Sequence, residues 1–343
     1  MGRMIISHKK IAYPVSPKLW HYLEKWRRTA LVPKIYQELG HFNEAYPHID
    51  PHGIETLWQT VLYPPEEFAE LKPKLTTIYA MLKVGGDMSL AEHLDVDRVD
   101  FGQFGNSKPF RVRIVNRYND NFDHYYVKVA DASRIYGLEL EHILSPNRIN
   151  YMVHEGTLIE EHIAGIPGDT FMDDHVKRSD INRVRVAKEF VKFNERCFMR
   201  LLGDMRSVNY VIDITPDFEE VQYRVRPIDF DQQSYEGRRN IYLAQFFKDN
   251  LPVVELVTEH LNLATIRQYQ NEERNLMASR KRLADRRLTE LLSIMRHEIL
   301  SPPEKVKQLG EELAEYHAEP AFEGAETMGE LVMLNLDASL RGL

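Results

Sequence analysis

Apolar residues recur at helical spacing through the early part of the chain. Ser16-Pro17 joins a capping hydroxyl to a proline at the first turn, and Leu19, Trp20, Leu23 and Trp26 follow. A second set, Ile54, Leu57, Trp58 and Val61, ends at Pro64-Pro65, and a third over residues 68–82 stops at Gly85-Gly86. These patterns predict a helical N-terminal extension over residues 1–94.

The period changes after Val99. Phe110, Val112 and Ile114 alternate with Arg111 and Arg113, which predicts a strand with one buried face. Tyr118-Asn119-Asp120-Asn121 supplies a turn, and the alternation resumes over residues 125–130. A short helix is expected over residues 133–144, then a strand over 157–163 closed by Gly165 and Pro167-Gly168. Helical spacing returns over residues 179–202, through Val184, Ala187, Phe190, Val191 and Phe198. Short strands over 210–212 and 221–228 flank a turn at Thr215-Pro216-Asp217, and beyond Tyr242 charged helices are broken at Pro302-Pro303. The fold class is therefore α+β. The chain shows no internal repeat.

Composition narrows the partners. The 343 residues are 43% hydrophobic, enough for a sizeable core. With 52 acidic against 44 basic residues and a net charge of −8, no nucleic-acid-binding surface is expected. The single Cys197 excludes an intrachain disulfide and suits a reduced cytoplasm. No apolar run approaches the roughly 18 residues that a membrane helix needs, and the start MGRMIISHKK lacks the apolar centre of a secretory signal. Oligomeric state is not legible.

Several residues carry candidate chemistry. Gly102 and Gly105, with Ser107 after them, form a loop before the Phe110 strand whose amides and hydroxyl suit phosphate; an ordinary hairpin turn is the plainer alternative. Lys128 lies within the strand YYVKVA on the face of Tyr126 and Ala130. It is either compensated by an opposite charge or a solvated edge lysine. Glu139 and Glu141 share the short helix after it, and Glu139 aligns with Ile135 and Ile143. Further on, G-D-M-R-S-V-N places Asp204 five residues before Asn209, with Arg206 between them, and the returning strand ends at Asp229.

Glycine loop, lysine, glutamate, strand with glycine turn, then Asp204, Asn209 and Asp229 is an order that resembles the protein-kinase-like superfamily. Within it, the chain is most similar to the branch of aminoglycoside phosphotransferases and choline kinases, over residues 95–300. The resemblance implies a two-lobed fold with an antiparallel sheet lobe (95–163) and a helical lobe (164–300), and the helical pattern beyond it predicts a helical tail (301–343). It implies ATP and Mg²⁺ as cofactors and a small-molecule hydroxyl as acceptor. Lys128 would meet the α- and β-phosphates, held by Glu139 or Glu141, while Tyr126 stacks on adenine. The carbonyl of Glu161 and the amide of Ile163 would read the base. Asp204 would accept the proton of the attacking hydroxyl, Arg206 would offset charge on the phosphoryl group, and Asn209 and Asp229 would hold the metal. Leu202 stands where the family has a histidine, and no A-P-E signature follows Asp229. Two other readings are a pseudokinase that binds without turnover, and a nucleotidyltransferase acting on a protein.

Other clusters read more simply. His48, Asp50 and His52, with His41 upstream, have metal-ligand residue types, but Pro47, Pro51 and Gly53 break the segment into turns. The run from Arg280 to Arg287 reads as a solvated helix face, and Trp20, Trp26 and Trp58 as core residues.

Overall fold

The computed structural model describes residues 10–30, 35–50, 52–84, 92–103, 107–217 and 221–343. Its chain divides into one unit of residues 1–132 with 149–162, and a second of residues 133–148 with 163–343.

The first unit opens with α1 (Pro17–Lys25), whose start is fixed as expected: the Ser16 hydroxyl accepts the Leu19 N–H at 3.1 Å. There follow α2 (Ile35–Leu39), β1 (Glu44–Ile49), β2 (Glu55–Leu62), α3 (Pro65–Val84), β3 (Leu94–Gly102), β4 (Phe110–Asn116) and β5 (Phe122–Val129). Past the crossing into helix α4 (Ala132–Leu144), β6 (Tyr151–His154) and β7 (Thr157–Glu161) complete an antiparallel sheet in the order β1-β2-β3-β4-β5-β7-β6. One face is apolar: Phe110, Val112, Ile114, Tyr125, Val127 and Ile159 bury with Leu71, Leu75 and Ile78 of α3. The opposite face carries Arg111, Arg113, His124, Tyr126, Lys128 and Glu160.

Two expectations for this unit need correction. Ile54, Leu57, Trp58 and Val61 do not share a helix, because Ile54 sits in the turn before β2 and the rest alternate along that strand. Ile54 and Leu57 are exposed while Val61 is buried, so the four never formed one apolar face. The predicted N-terminal extension is accordingly part strand, and β2 pairs with β3 through Trp58 and Gly102. Strand β3 itself begins before the expected change of period. A bulge between Val96 and Arg98 shifts its phase, so Val96 and Val99 bury on one side three residues apart and imitate a helical repeat.

The second unit holds β8 (Ile166–Pro167), α5 (Gly168–Thr170), α6 (Arg183–Met199), β9 (Tyr210–Pro216) and β10 (Val221–Pro227). Helices α7 (Leu251–His260), α8 (Leu263–Leu283), α9 (Asp285–Met295), α10 (Pro303–His317) and α11 (Met328–Ser339) follow. The predicted hairpin is present, and β8 joins it to make the small sheet β10-β9-β8. Helix α6 is the spine of this unit. Asn182 caps it by accepting the Arg185 N–H at 3.2 Å, and it packs against α7, α8 and β10 with Phe190, Phe193, Cys197 and Phe198 buried. Among the described residues no helix is long and apolar enough to cross a membrane.

Helix α4 brings its charges into this second unit. Arg287 forks onto the buried Glu139 carboxylate at 2.8 and 3.0 Å, and Arg200 ion-pairs with Glu141, both nearly inaccessible. Arg280 donates to the carbonyls of His142 and Ile143 at 3.1 Å, closing the C-terminus of the helix. The basic run on α8 and α9 is therefore only in part a solvated face: Arg282 and Arg286 are exposed, while Arg280 and Arg287 hold α4. The tryptophans also differ from expectation, for Trp20, Trp26 and Trp58 are all only partly buried.

Candidate functional site

The second unit gathers Asp204, Arg206, Asn209 and Asp229. The chain leaves α6 through Leu201 and Asp204, both with left-handed backbone (φ 54° and 57°). Aspartate tolerates that conformation better than bulkier residues do. The segment is pinned on two sides: Gly203 N–H donates to Gln232 O at 3.1 Å and Asp204 N–H to Ile241 O at 3.0 Å. Leu202 is fully buried and bridges Gln233 through its backbone. That main-chain link joins the Asp204 segment to the 229–233 segment.

Arg206 grips the Asp204 carboxylate with two parallel bonds of 2.9 and 3.0 Å. Asn209 donates its amide to the Asp204 carbonyl at 2.6 Å, which commits its nitrogen and leaves its oxygen outside that bond. The hairpin then does the rest. Because Pro227 of β10 pairs with Tyr210 of β9, the chain returns to where it left, and Ile228 N–H donates to Asn209 O at 2.9 Å. Asp229 is thereby delivered next to Asn209.

Burial raises the Asp204 carboxyl above its ordinary range; Arg206 works against that rise and the nearby Asp229 charge adds to it. Burial would lower Arg206, but its bonds to Asp204 more than compensate and its affinity for the proton ends raised. Asp229 accepts the Asp231 N–H at 3.0 Å and stands 3.7 Å from the buried Arg134 guanidinium, which also ion-pairs with Asp231. Gly137, one turn along α4, is what lets this happen. A Cβ there would stand 3.1 Å from side-chain atoms of Phe230 and Gln233, so a larger residue would make Phe230 or Gln233 give by a few tenths of an ångström.

No protein-family model and no curated protein matches the chain.

The first unit holds Gly102, Ser107, Tyr126, Lys128 and Glu161. Gly102 ends β3 and donates its N–H to Pro109 O at 2.8 Å, so the glycine loop joins β3 to β4 as a hairpin connection. Ser107 lies in that loop, half-buried, and Gly105 falls outside the described residues. Tyr126 and Lys128 share one face of β5, as predicted, and His124 lies on the same face. Tyr126 sits opposite Glu160 and Lys128 opposite Leu158 in the pairing with β7. Lys128 Nζ is 2.6 Å from Glu160 Oε2, and both side chains are buried. Its partner is thus a strand carboxylate, whereas Glu139 and Glu141 are taken up by Arg287 and Arg200.

Tyr126 is packed on three sides. Its ring lies 6.1 Å from Trp58 and 5.9 Å from His162, its hydroxyl shares a 3.1 Å hydrogen bond with His162 Nδ1, and Lys128 Nζ is 5.6 Å from its centre. Burial pushes its phenol up to about 12, so the ring enters neutral chemistry only. Beside it, His124 is driven down to about 4 by burial and by Arg111, His162 and Arg113. Asp100 anchors the cationic side: it is fully buried, accepts from Arg98 and Arg111 at 2.8 Å and from Thr60, and is lowered despite a burial cost that would raise it. The Glu161 side chain takes the Asn150 N–H at 2.7 Å, and Ile163 opens the second unit.

Sequence reasoning missed Glu160, Arg134 and Asp231. Glu160 has the right parity for the face of Lys128, but only the pairing of β5 with β7 reveals that the two strands are neighbours. The histidine cluster proves to be a turn: Asp50 Oδ1 accepts the N–H groups of His52 and Ile54 at 2.9 and 2.8 Å.

Proposed function

We propose that the chain is an ATP- and Mg²⁺-dependent phosphotransferase acting on a small-molecule hydroxyl, with a two-lobed kinase-like fold. The observation that carries this reading is the hairpin return, which sets Asp229 beside Asn209 while Asn209 braces the backbone of Asp204.

The donor set fits the cofactor. Asn209 and Asp229 offer oxygen ligands, which suit a hard cation that keeps water and nucleotide oxygens for its other positions. When bound, Mg²⁺ would neutralise charge on the phosphates. Lys128 would contribute a fixed positive charge to the same phosphates, and the amides around Gly102 and Ser107 would donate to them. Asp204, aimed by the Arg206 fork, would accept the proton of the acceptor hydroxyl as its oxygen bonds to the terminal phosphorus. The bond from that phosphorus to the bridging oxygen breaks, and the nucleoside diphosphate leaves. Arg206 serves here to orient the base, a role assigned by its two bonds to Asp204.

ATP with Mg²⁺ is expected to raise stability by about 2.7 kcal/mol at one hundred times its dissociation constant, by mass action. Differential scanning fluorimetry with a panel of nucleotides, with and without the metal, checks this. No shift at millimolar nucleotide overturns the reading.

The packing of Tyr126 among Trp58, His162 and Lys128 favours a second reading, a nucleotide- or partner-binding module without turnover. Tyr126→Ala separates the two by its sign. If Tyr126 stacks on adenine, the change weakens ATP several-fold, since stacking contributes on the order of 1 kcal/mol beyond area burial. If Tyr126 fills the space that adenine needs, the change tightens binding instead. Calorimetric titration of ATP reads the direction.

A further inference from the structure

We infer that Glu160 is the positioning residue for Lys128, so that the phosphate-facing lysine is held by the sheet itself. The inference rests on the phosphotransferase reading and adds to it the element that aligns its cation. Lys128 and Glu160 lie on adjacent antiparallel strands, one residue pair apart on a common face. That diagonal is within reach of two long side chains, and their termini meet at 2.6 Å.

Both groups are buried, at 7% and 2% exposure, which makes the pairing consequential. An ammonium out of water needs an opposite charge nearby, and Glu160 provides one before any phosphate arrives. A lysine ammonium has three donors. The Glu160 bond uses one of them and turns the others in a defined direction, where phosphate oxygens can accept them. The two acidic residues of α4 have other work. Glu139 receives the Arg287 fork and Glu141 pairs with Arg200, all four within the second unit. Lys128 and Glu160 both belong to the first unit, and the register of β5 against β7 brings them onto one face.

Glu160→Gln keeps the shape of the side chain and removes its charge. Calorimetry should find ATP with Mg²⁺ bound roughly tenfold more weakly, the scale of one charge-assisted bond, with adenosine affinity unchanged. Adenosine lacks the phosphates that Lys128 meets, so a general disturbance of the fold would weaken both ligands. Glu160→Asp should recover part of the loss, and it carries the same comparison should Glu160→Gln fail to fold. In a Lys128→Met background, Glu160→Gln should have no further effect on ATP. Equal weakening of ATP and adenosine, or additive losses in the double variant, overturns the role of Glu160 alone. Failure of the unaltered protein to bind either ligand overturns the phosphotransferase reading, and this inference with it.

Discussion

Asp204→Asn is expected to lower turnover by about 10²- to 10⁴-fold while leaving the affinity for ATP and Mg²⁺ unchanged. The substitution keeps the shape and one oxygen acceptor for Arg206 but removes the group that, in the proposed mechanism, would take the proton. Asp229→Asn should do the reverse, weakening Mg²⁺-dependent nucleotide binding, because in the proposed mechanism that carboxylate would hold the cation. Calorimetry of both variants, set beside turnover once an acceptor is found, tests the assignment. It fails if Asp204→Asn abolishes ATP binding while Asp229→Asn leaves the metal dependence intact. The pH profile adds a second check. Burial and the Asp229 charge raise the Asp204 carboxyl, so it holds its proton at a pH where a solvated aspartate has lost it. The acid limb of activity should therefore lie above the ordinary aspartate range near 3.9. For stability the sign is opposite. A raised carboxyl favours the folded state below its unfolded pKa, and that contribution is lost as pH rises through the folded value.

Glu141→Ala should destabilise the protein by about 3–5 kcal/mol, the cost of leaving a buried charge alone. Arg200 and Glu141 are 1% and 2% exposed, and burial already depresses the Arg200 guanidinium to about 9. Removing Glu141 takes the ion-pair partner from that buried guanidinium and leaves it only the attraction of Glu273. Replacing both, as Glu141→Leu with Arg200→Met, should restore most of the loss, since an apolar pair of similar volume is often neutral or better. Urea unfolding midpoints of the single and double variants decide the matter. A single-variant cost below about 1 kcal/mol would place the pair with exposed salt bridges and defeat the prediction.

What was legible in the sequence follows from how local each signal is. The strands β4, β5 and β7, the helix α6 and the hairpin β9–β10 announce themselves by short-range periodicity and turn residues, and all are present. Asp204, Asn209 and Asp229 were legible because the hairpin is local: two strands in register suffice to reunite them. The β3 bulge and the β2 strand were not, since a phase shift or a stray turn residue counterfeits the helical period. Partners far apart in the chain were illegible altogether. Nothing in the vicinity of Glu139 points to Arg287, and nothing beside Lys128 selects Glu160 over the two glutamates of α4. Such pairings depend on strand order and helix docking, which alternation cannot encode.

The placement of α4 has a consequence for the growing chain. Residues 133–148 lie between strands of the first unit yet belong to the second, so neither unit is a continuous stretch of sequence. Asp231 follows Arg134 by 97 residues, and Arg287 follows Glu139 by 148. At ribosomal rates of about 5–20 residues per second, Glu139 waits roughly 7–30 s for its arginine. During that interval the helix carries charged groups with no structure to receive them, and the nascent protein depends on water to keep them solvated. Any message cut short before Arg287 leaves that wait without an end.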